Sequence, residues 1–371
     1  MKKGISLLLF FGILLISSYS YCQKPTITAQ SAILVDLESG RVLLEYSPHT
    51  KLPMASTTKI MTGLIALENC SIEDKITIKR ESVGVEGSSI YLYEGESIGL
   101  EDLLYGLMLR SGNDAAVAIA DYVGGNIEQF IIMMNDKARS INANNTNFMN
   151  PHGLHHDDHY TTAYDLALIT KEAMKFEKFR EIVGSKSWKA NREKNNIFYN
   201  KNSTLWEYEG GNGVKTGYTM RAGRCLVSSS TRNDRTLIAI VLNDRNWFND
   251  CYSLLNYGFE HFKDYVIFDE GQYFRSIPVI DGDKEYIAAV AKKMFFYPLK
   301  EEELKNIKIH IDLPDKIKAP IGKGDSIGKV KIYLDGIMIH EESIIAKENI
   351  SKLGPIQKLI KELIKKDNKK G

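Results

Sequence analysis

The hydrophobic period changes twice along this chain, and that change restricts the fold more than any other feature. Residues 32–46, "AILVDLESGRVLLEY", form two apolar runs around Glu38, Ser39 and Gly40, the pattern of a β-hairpin. From Ser56 to about residue 180, apolar residues recur at spacings of three and four, as in "STTKIMTGLIALE", "LEDLLYGLMLRSGNDAAVAIADYV" and "NIEQFIIMMNDKARSI". That is the spacing of helices with one buried face. Strand texture then returns in "GGNGVKTGYTM", "CLVSSSTR" and "RTLIAIVLND". A hairpin, a block of helices and a later meander predict an α+β domain whose first strands rejoin the later sheet. It closes near residue 265, after the helical "WFNDCYSLLNYGFEHF".

A length of 371 residues suggests about two domains. The second begins near residue 270, where short strands such as "RSIPVI", "KEYIAAVA" and "GKVKIYLDGIMIHEESIIA" are punctuated by "KAPIGKGDSIG". We expect a small all-β domain at 270–350.

The two ends have their own character. Lys2 and Lys3 precede the apolar run "ISLLLFFGILLIS" at 5–17, short for a bilayer span but suited to a secretory signal. Residues 1–22 are read as that signal, with cleavage after Ser20 or Cys22 and an uncleaved anchor as the alternative. Residues 351–371 place Ile356, Leu359, Ile360, Leu363 and Ile364 on one helical face. They carry seven lysines against Glu362 and Asp367, a net +5, so the preceding 350 residues sum to −4. A basic amphipathic helix of this kind suits a membrane interface; a helix packed on its own protein is the alternative. The formal net charge of +1 excludes a strong global pull toward nucleic acid. Of Cys22, Cys70, Cys225 and Cys251, only the last three lie safely inside an exported chain; three wide-spaced cysteines form no disulfide framework, and buried thiols are expected.

The chemistry begins in "PMASTTKIMTGLIALE", residues 53–68. Ser56 and Lys59 stand one helical turn apart, on one face. A serine hydroxyl is a weak nucleophile until a base takes its proton, and a lysine serves only if burial or nearby positive charge lowers its pKa. Taken alone, the pair also reads as a capping serine and a solvated lysine. Two later strings could complete a site: Ser111, Gly112 and Asn113 in "LMLRSGNDAAV", and Lys215, Thr216 and Gly217 in "GNGVKTGYT". Singly they read as a helix-to-helix turn and a strand end. A competing cluster, His152, His155, Asp157, Asp158, His156 and His159 in "NPHGLHHDDHY", has donors that suit a transition metal. Pro151 and Gly153 favour a polar surface loop instead, and no metal is assigned.

Ser-x-x-Lys, Ser-Gly-Asn and Lys-Thr-Gly, in that order, resemble the motif set of the penicillin-binding proteins and serine β-lactamases. "PMASTTKIMTGLIALE", "LEDLLYGLMLRSGNDAAVAIADYVGG", "NTNFMNPHGLHHDDHYTTAYDLALI" and "GVKTGYTMRAGRCLVSSS" extend the resemblance, over residues 25–265, to the low-molecular-mass D-alanyl-D-alanine carboxypeptidases. The β-domain with a C-terminal amphipathic anchor is similar to that family's layout. The resemblance implies an α+β penicillin-binding/β-lactamase-like domain at 23–265, an antiparallel sheet with a helical subdomain, working at the extracytoplasmic face of a bacterial membrane without a cofactor. It implies Ser56 as nucleophile, Lys59 as base, and Ser111 as proton relay to the departing D-alanine. Asn113 would hold the peptide amide and Lys59. Lys215 and Thr216 would bind the terminal carboxylate of a peptidoglycan stem ending in D-Ala-D-Ala, with help from Arg221 or Arg224. Gly217 would permit close approach, and the Tyr218 N–H would join that of Ser56 as oxyanion donor. β-Lactam antibiotics would act as inhibitors. A serine β-lactamase is the nearest alternative, but no matching glutamate for deacylation stands between Asn113 and Lys215. A non-catalytic sensor of β-lactams or peptidoglycan, and transpeptidase or endopeptidase side activity, remain open.

Overall fold

The computed structural model describes residues 24–359. The expected signal at 1–22 lies outside them; of the expected 351–371 helix, 351–359 are described, and only 355–359 are helical, because Lys352 is held in a β-bridge with Gly282.

Strands β1 (Ser31–Asp36) and β2 (Val42–Tyr46) form the expected hairpin, and a 3-10 turn at Ala55–Thr58 leads into α1 (Lys59–Asn69). A short pair, β3 (Lys75–Thr77) with β4 (Ser97–Gly99), precedes α2 (Leu100–Tyr105), α3 (Asn113–Gly124), α4 (Ile127–Ser140), α5 (Ala163–Ala173) and α6 (Glu177–Gly184). A second short pair, β5 (Ser187–Lys189) with β6 (Ile197–Tyr199), and the single turn α7 (Thr204–Glu207) lead to β7 (Gly211–Thr219), β8 (Gly223–Arg232), β9 (Arg235–Leu242) and α8 (Trp247–His261).

The central sheet has the order β2-β1-β9-β8-β7 and is antiparallel throughout. β1 rejoins the later strands at β9, as the sequence pattern predicts. Both faces of the sheet are covered, which explains why β1 and β9 read as nearly unbroken apolar runs rather than alternating ones. Ile33, Val35, Val227, Ile238 and Ile240 face the helices α1 to α6. Ala32, Leu34, Leu226, Leu237, Ala239 and Val241 face Cys251, Leu254 and Leu255 of α8. Cys225 and Cys251 are buried and free, and burial pushes the Cys225 thiol up to about 12. β7 is left at the edge, with one side of its backbone unpaired by the sheet.

The helical block differs from its sequence pattern in three places. The string 101–124 is not one helix: α2 runs into a π turn at Gly106–Arg110, Ser111 takes a left-handed conformation (φ 63°), and α3 starts afresh at Asn113. Residues 78–96 are mostly irregular, with Gly84, Gly87 and Gly95 at positive φ. Residues 144–162 are also irregular, tied to Leu52 by a β-bridge at Thr161.

After α8 the chain is strands: β10 (Lys263–Phe268), β11 (Tyr273–Ile280), β12 (Tyr286–Ala291), β13 (Phe295–Leu299), β14 (Ile307–Asp312), β15 (Ile317–Lys318), β16 (Ser326–Leu334) and β17 (Ile337–Ala346). Six of them form a sheet of order β14-β16-β17-β12-β11-β15 over a separate core that includes Ile277, Ile287, Val330, Ile332 and Ile344. Arg41 links the two halves: it donates to Glu303 at 2.6 Å and to the Pro298 carbonyl, and lies over Phe262 and Tyr297.

Candidate active site

Two turns converge on the edge strand: Ala55–Thr58 and Gly106–Arg110 both pack on β7. Ser56 sits in the first of these, half-buried, and directly follows Ala55, whose φ of 48° is unusual for a residue with a side chain. Such strain persists only where surroundings impose it, and here they are identifiable. The Thr57 and Thr58 hydroxyls donate to the Met54 and Ala55 carbonyls at 2.6 and 2.8 Å. Gly153 lies so close that a Cβ there would come 1.9 Å from the Ala55 oxygen. His159 completes the brace. Its Nδ1 accepts the Met149 N–H at 3.0 Å, so Nε2 carries the proton and donates to the Thr58 hydroxyl at 2.8 Å. Burial, then the neighbouring histidines and Lys59, hold its pKa down at about 3, which keeps that tautomer neutral.

Lys59 is wholly buried, yet its Nζ has three partners: Ser56 Oγ at 3.1 Å, Asn113 Oδ1 at 2.7 Å and the His152 carbonyl at 2.6 Å. Burial first, then the nearby Lys215, push its pKa well below the ordinary 10.5; Asp114 opposes the shift and Lys201 adds to it. The geometry fits a neutral amine. Two N–H groups satisfy the two carbonyl-type acceptors, and the lone pair is left facing the Ser56 hydroxyl.

Asn113 is held in turn, with its Nδ2 donating to the Glu86 carbonyl at 2.5 Å and its backbone N–H to the Ser88 carbonyl at 2.7 Å. Asp114 fixes the same loop by accepting from the Ser89 hydroxyl and from the Ile90 and Leu92 N–H groups. Ser111 is buried on the left-handed turn two residues earlier; among the described residues its hydroxyl has no hydrogen-bond partner.

Lys215 is buried, with the Thr216 carbonyl as its acceptor at 3.0 Å. Burial, then Lys201, lower its pKa to about 7. Thr216 is half-buried. Gly217 brings β7 against the Ser56 turn: a Cβ there would lie 2.9 Å from Ser56 N and 3.1 Å from Thr57 N. Close approach was expected of Gly217 toward a substrate, and its near neighbour is the Ser56 turn itself. The exposed Tyr218 begins a groove shared with Met220, Arg224 and Arg245, so Arg224 and not Arg221 lines it.

Several contributors escape a reading of the sequence. Lys201 has no motif. Asp114 could be suspected as an acid in the first turn of α3. His159 was placed in a polar surface loop; His155 and His156 are exposed or nearly so, whereas His159 is 2 % exposed. The available signal was "TTAYD", since Thr162 caps α5 by accepting the Asp165 N–H and so anchors the end of the loop. Among the described residues no group of three or more His, Cys, Asp or Glu is placed to hold a metal ion.

A family model described as D-alanyl-D-alanine carboxypeptidase matches residues 19–246, and that of the penicillin-binding protein 5 C-terminal domain matches 262–352. The chain belongs to the D-alanyl-D-alanine carboxypeptidase family. It is 32 % identical over 339 residues to the D-alanyl-D-alanine carboxypeptidase DacF of Bacillus subtilis, covering 88 % of this chain and 87 % of that one. Penicillin-binding protein 5 of Haemophilus influenzae superposes with a TM-score of 0.75 at 29 % identity, over 89 % of this chain and 99 % of that one. A variant of the Streptomyces K15 DD-transpeptidase, 34 % identical with a TM-score of 0.60, covers 64 % of this chain and 100 % of its own. The family fold pairs a catalytic sheet-and-helix unit with a C-terminal all-β unit, and the sheets of this chain follow it.

Proposed function

We propose that this chain is a serine D-alanyl-D-alanine carboxypeptidase that removes the terminal D-alanine from peptidoglycan stem pentapeptides. The observation that carries the reading is the buried Lys59 amine, 3.1 Å from Ser56 Oγ with its other two partners both acceptors. In acylation Lys59 takes the Ser56 proton as Oγ attacks the penultimate D-alanine carbonyl carbon. The Ser56 and Tyr218 N–H groups receive the developing oxyanion. The C–N bond then breaks as the proton held by Lys59 is relayed through the Ser111 hydroxyl to the departing amine, which restores the neutral lysine, and water hydrolyses the Ser56 ester and returns the proton to Ser56 Oγ. Lys215 and Thr216, with Arg224 and Arg245 along the groove, supply positive charge and donors for the terminal carboxylate. Asn113 orients both Lys59 and the peptide. β-Lactams mimic the acyl donor and are held as the Ser56 ester.

The place of work is outside the cytoplasm. We read 1–22 as the export signal, 23–265 as the catalytic domain, 270–350 as a spacer or partner domain and 351–371 as a helix on the membrane surface. Among the described residues no helix is long and apolar enough to cross a membrane. Flotation with anionic vesicles tests the tail: binding is expected to be lost on deletion of 351–371, and unchanged binding contradicts the anchor.

The direct test of activity is D-alanine release from a stem pentapeptide by the chain and by its Ser56→Ala variant. Release by the first alone is expected. A penicillin adduct on Ser56 without release from either would move the assignment to a binding or sensing role.

A further inference from the structure

The β-domain has an open edge whose residue pattern is complementary to itself. β14 ends the six-stranded sheet and pairs with β16 alone, with Ile309 opposite Ile332 and Asp312 opposite Lys329. Residues 308–312 are all exposed, including Ile309 at 46 % and Ile311 at 41 %. An open edge with apolar side chains is a template for another strand unless its charges forbid pairing. Here the charges favour it.

We propose that β14 is a seam at which two copies of this chain pair antiparallel about a twofold axis through His310. In that register Ile309 faces the partner's Ile311 and Ile307 faces the partner's Leu313, continuing the row that already covers Val330 and Ile332 on the core side. On the other side Lys308 faces the partner's Asp312, and the symmetry repeats that ion pair. Opposite charges directly across a strand pair stabilise it, and like charges destabilise it. A shift by one residue would set apolar positions against charged ones. A shift by two would set Lys308 against the partner's His310 in one direction or Pro314 in the other. The centred register alone satisfies both faces. The contact is isologous and closes after two copies. A seven-residue seam is small beside the usual stable interface, so the association is weak and depends on local concentration.

The experiment uses the full chain with His310→Cys and a short bis-maleimide, and the parent chain, with its own cysteines, as background. A cross-linked dimer above that background is expected. Adding Asp312→Lys turns both attractive pairs repulsive and lowers the dimer yield about tenfold or more. Adding Lys308→Asp as well restores the pairs and the yield. A cooperative thermal melt is followed in parallel, and the double reversal shows whether a loss reflects charge or folding. Yield no higher than the parent's, as expected if the edge meets a different protein or a lipid surface, overturns the proposal. So does a yield indifferent to Asp312→Lys, or one that Lys308→Asp fails to restore.

Discussion

Behind the central sheet, α8 sets Cys251, Leu254 and Leu255 against Leu34, Leu226, Leu237 and Ala239, while at the edge strand in front two lysines are buried with amide and carbonyl oxygens as partners rather than carboxylates. The rear is mainly apolar packing, and that burial favours folding; the buried carboxylates of Asp244 and Asp250 at the start of α8 are the exception. The front buries charge-capable groups and holds Ala55 at positive φ. Each of those features costs stability, and each prepares a group for chemistry. The contrast teaches that the stable side of the sheet supports the reactive side, and that substitutions should separate the two.

The largest expected effect on stability is at the rear. Leu254→Ala removes a fully buried side chain and should cost about 2–5 kcal/mol. Urea unfolding should show that loss, with the acylation rate per folded molecule unchanged. A large loss of specific rate would mean that the two sides are not separable.

At the front the sign should reverse. Lys215→Met removes a buried cation whose pKa stands near 7 in the fold, and should stabilise by on the order of 1–3 kcal/mol at neutral pH while slowing acylation. The pH dependence sharpens this. Because the folded pKa lies below the unfolded one, the unfolded chain holds the proton more tightly between about pH 7 and the ordinary 10.5. The parent therefore gains stability as pH rises through that window, and the variant's advantage shrinks toward pH 10.5. Melting temperatures at pH 7 and pH 10 check both the sign and the trend.

Gly217→Ala tests the contact between β7 and the Ser56 turn. Its Cβ would press on Ser56 N and Thr57 N, and a displacement of about 1 Å in the reacting geometry costs on the order of 100-fold in rate. Stability should fall by only about 1 kcal/mol, within the range of ordinary substitutions. Stopped-flow acylation with a parallel melt reads both, and an unchanged rate would break the proposed link between strand and serine.

The same contrast explains what was legible in the sequence. The sheet and α8 could be read because burial on known faces leaves a periodic trace, as in "RTLIAIVL" and "WFNDCYSLLNYGFEHF". Ser56 and Lys59 could be read because one turn of helix sets their distance. Lys201 and His159 could not, since each acts on the site from a segment far from Ser56 in the chain. Ser111, Gly112 and Asn113 could be read as a turn between helices, but the form of the break between α2 and α3 was hidden for another reason. A π turn keeps the apolar spacing of a helix almost intact, so the left-handed Ser111 interrupts the backbone without interrupting the pattern.

The pH dependence of Ser56 acylation by a penicillin measures most directly whether Lys59 acts as a neutral base. An acid limb well below the ordinary lysine value of 10.5 is expected, moving upward in Lys215→Met because loss of the second ammonium favours protonation of Lys59. A limb at the ordinary lysine value in the parent, unmoved by the substitution, would contradict that role.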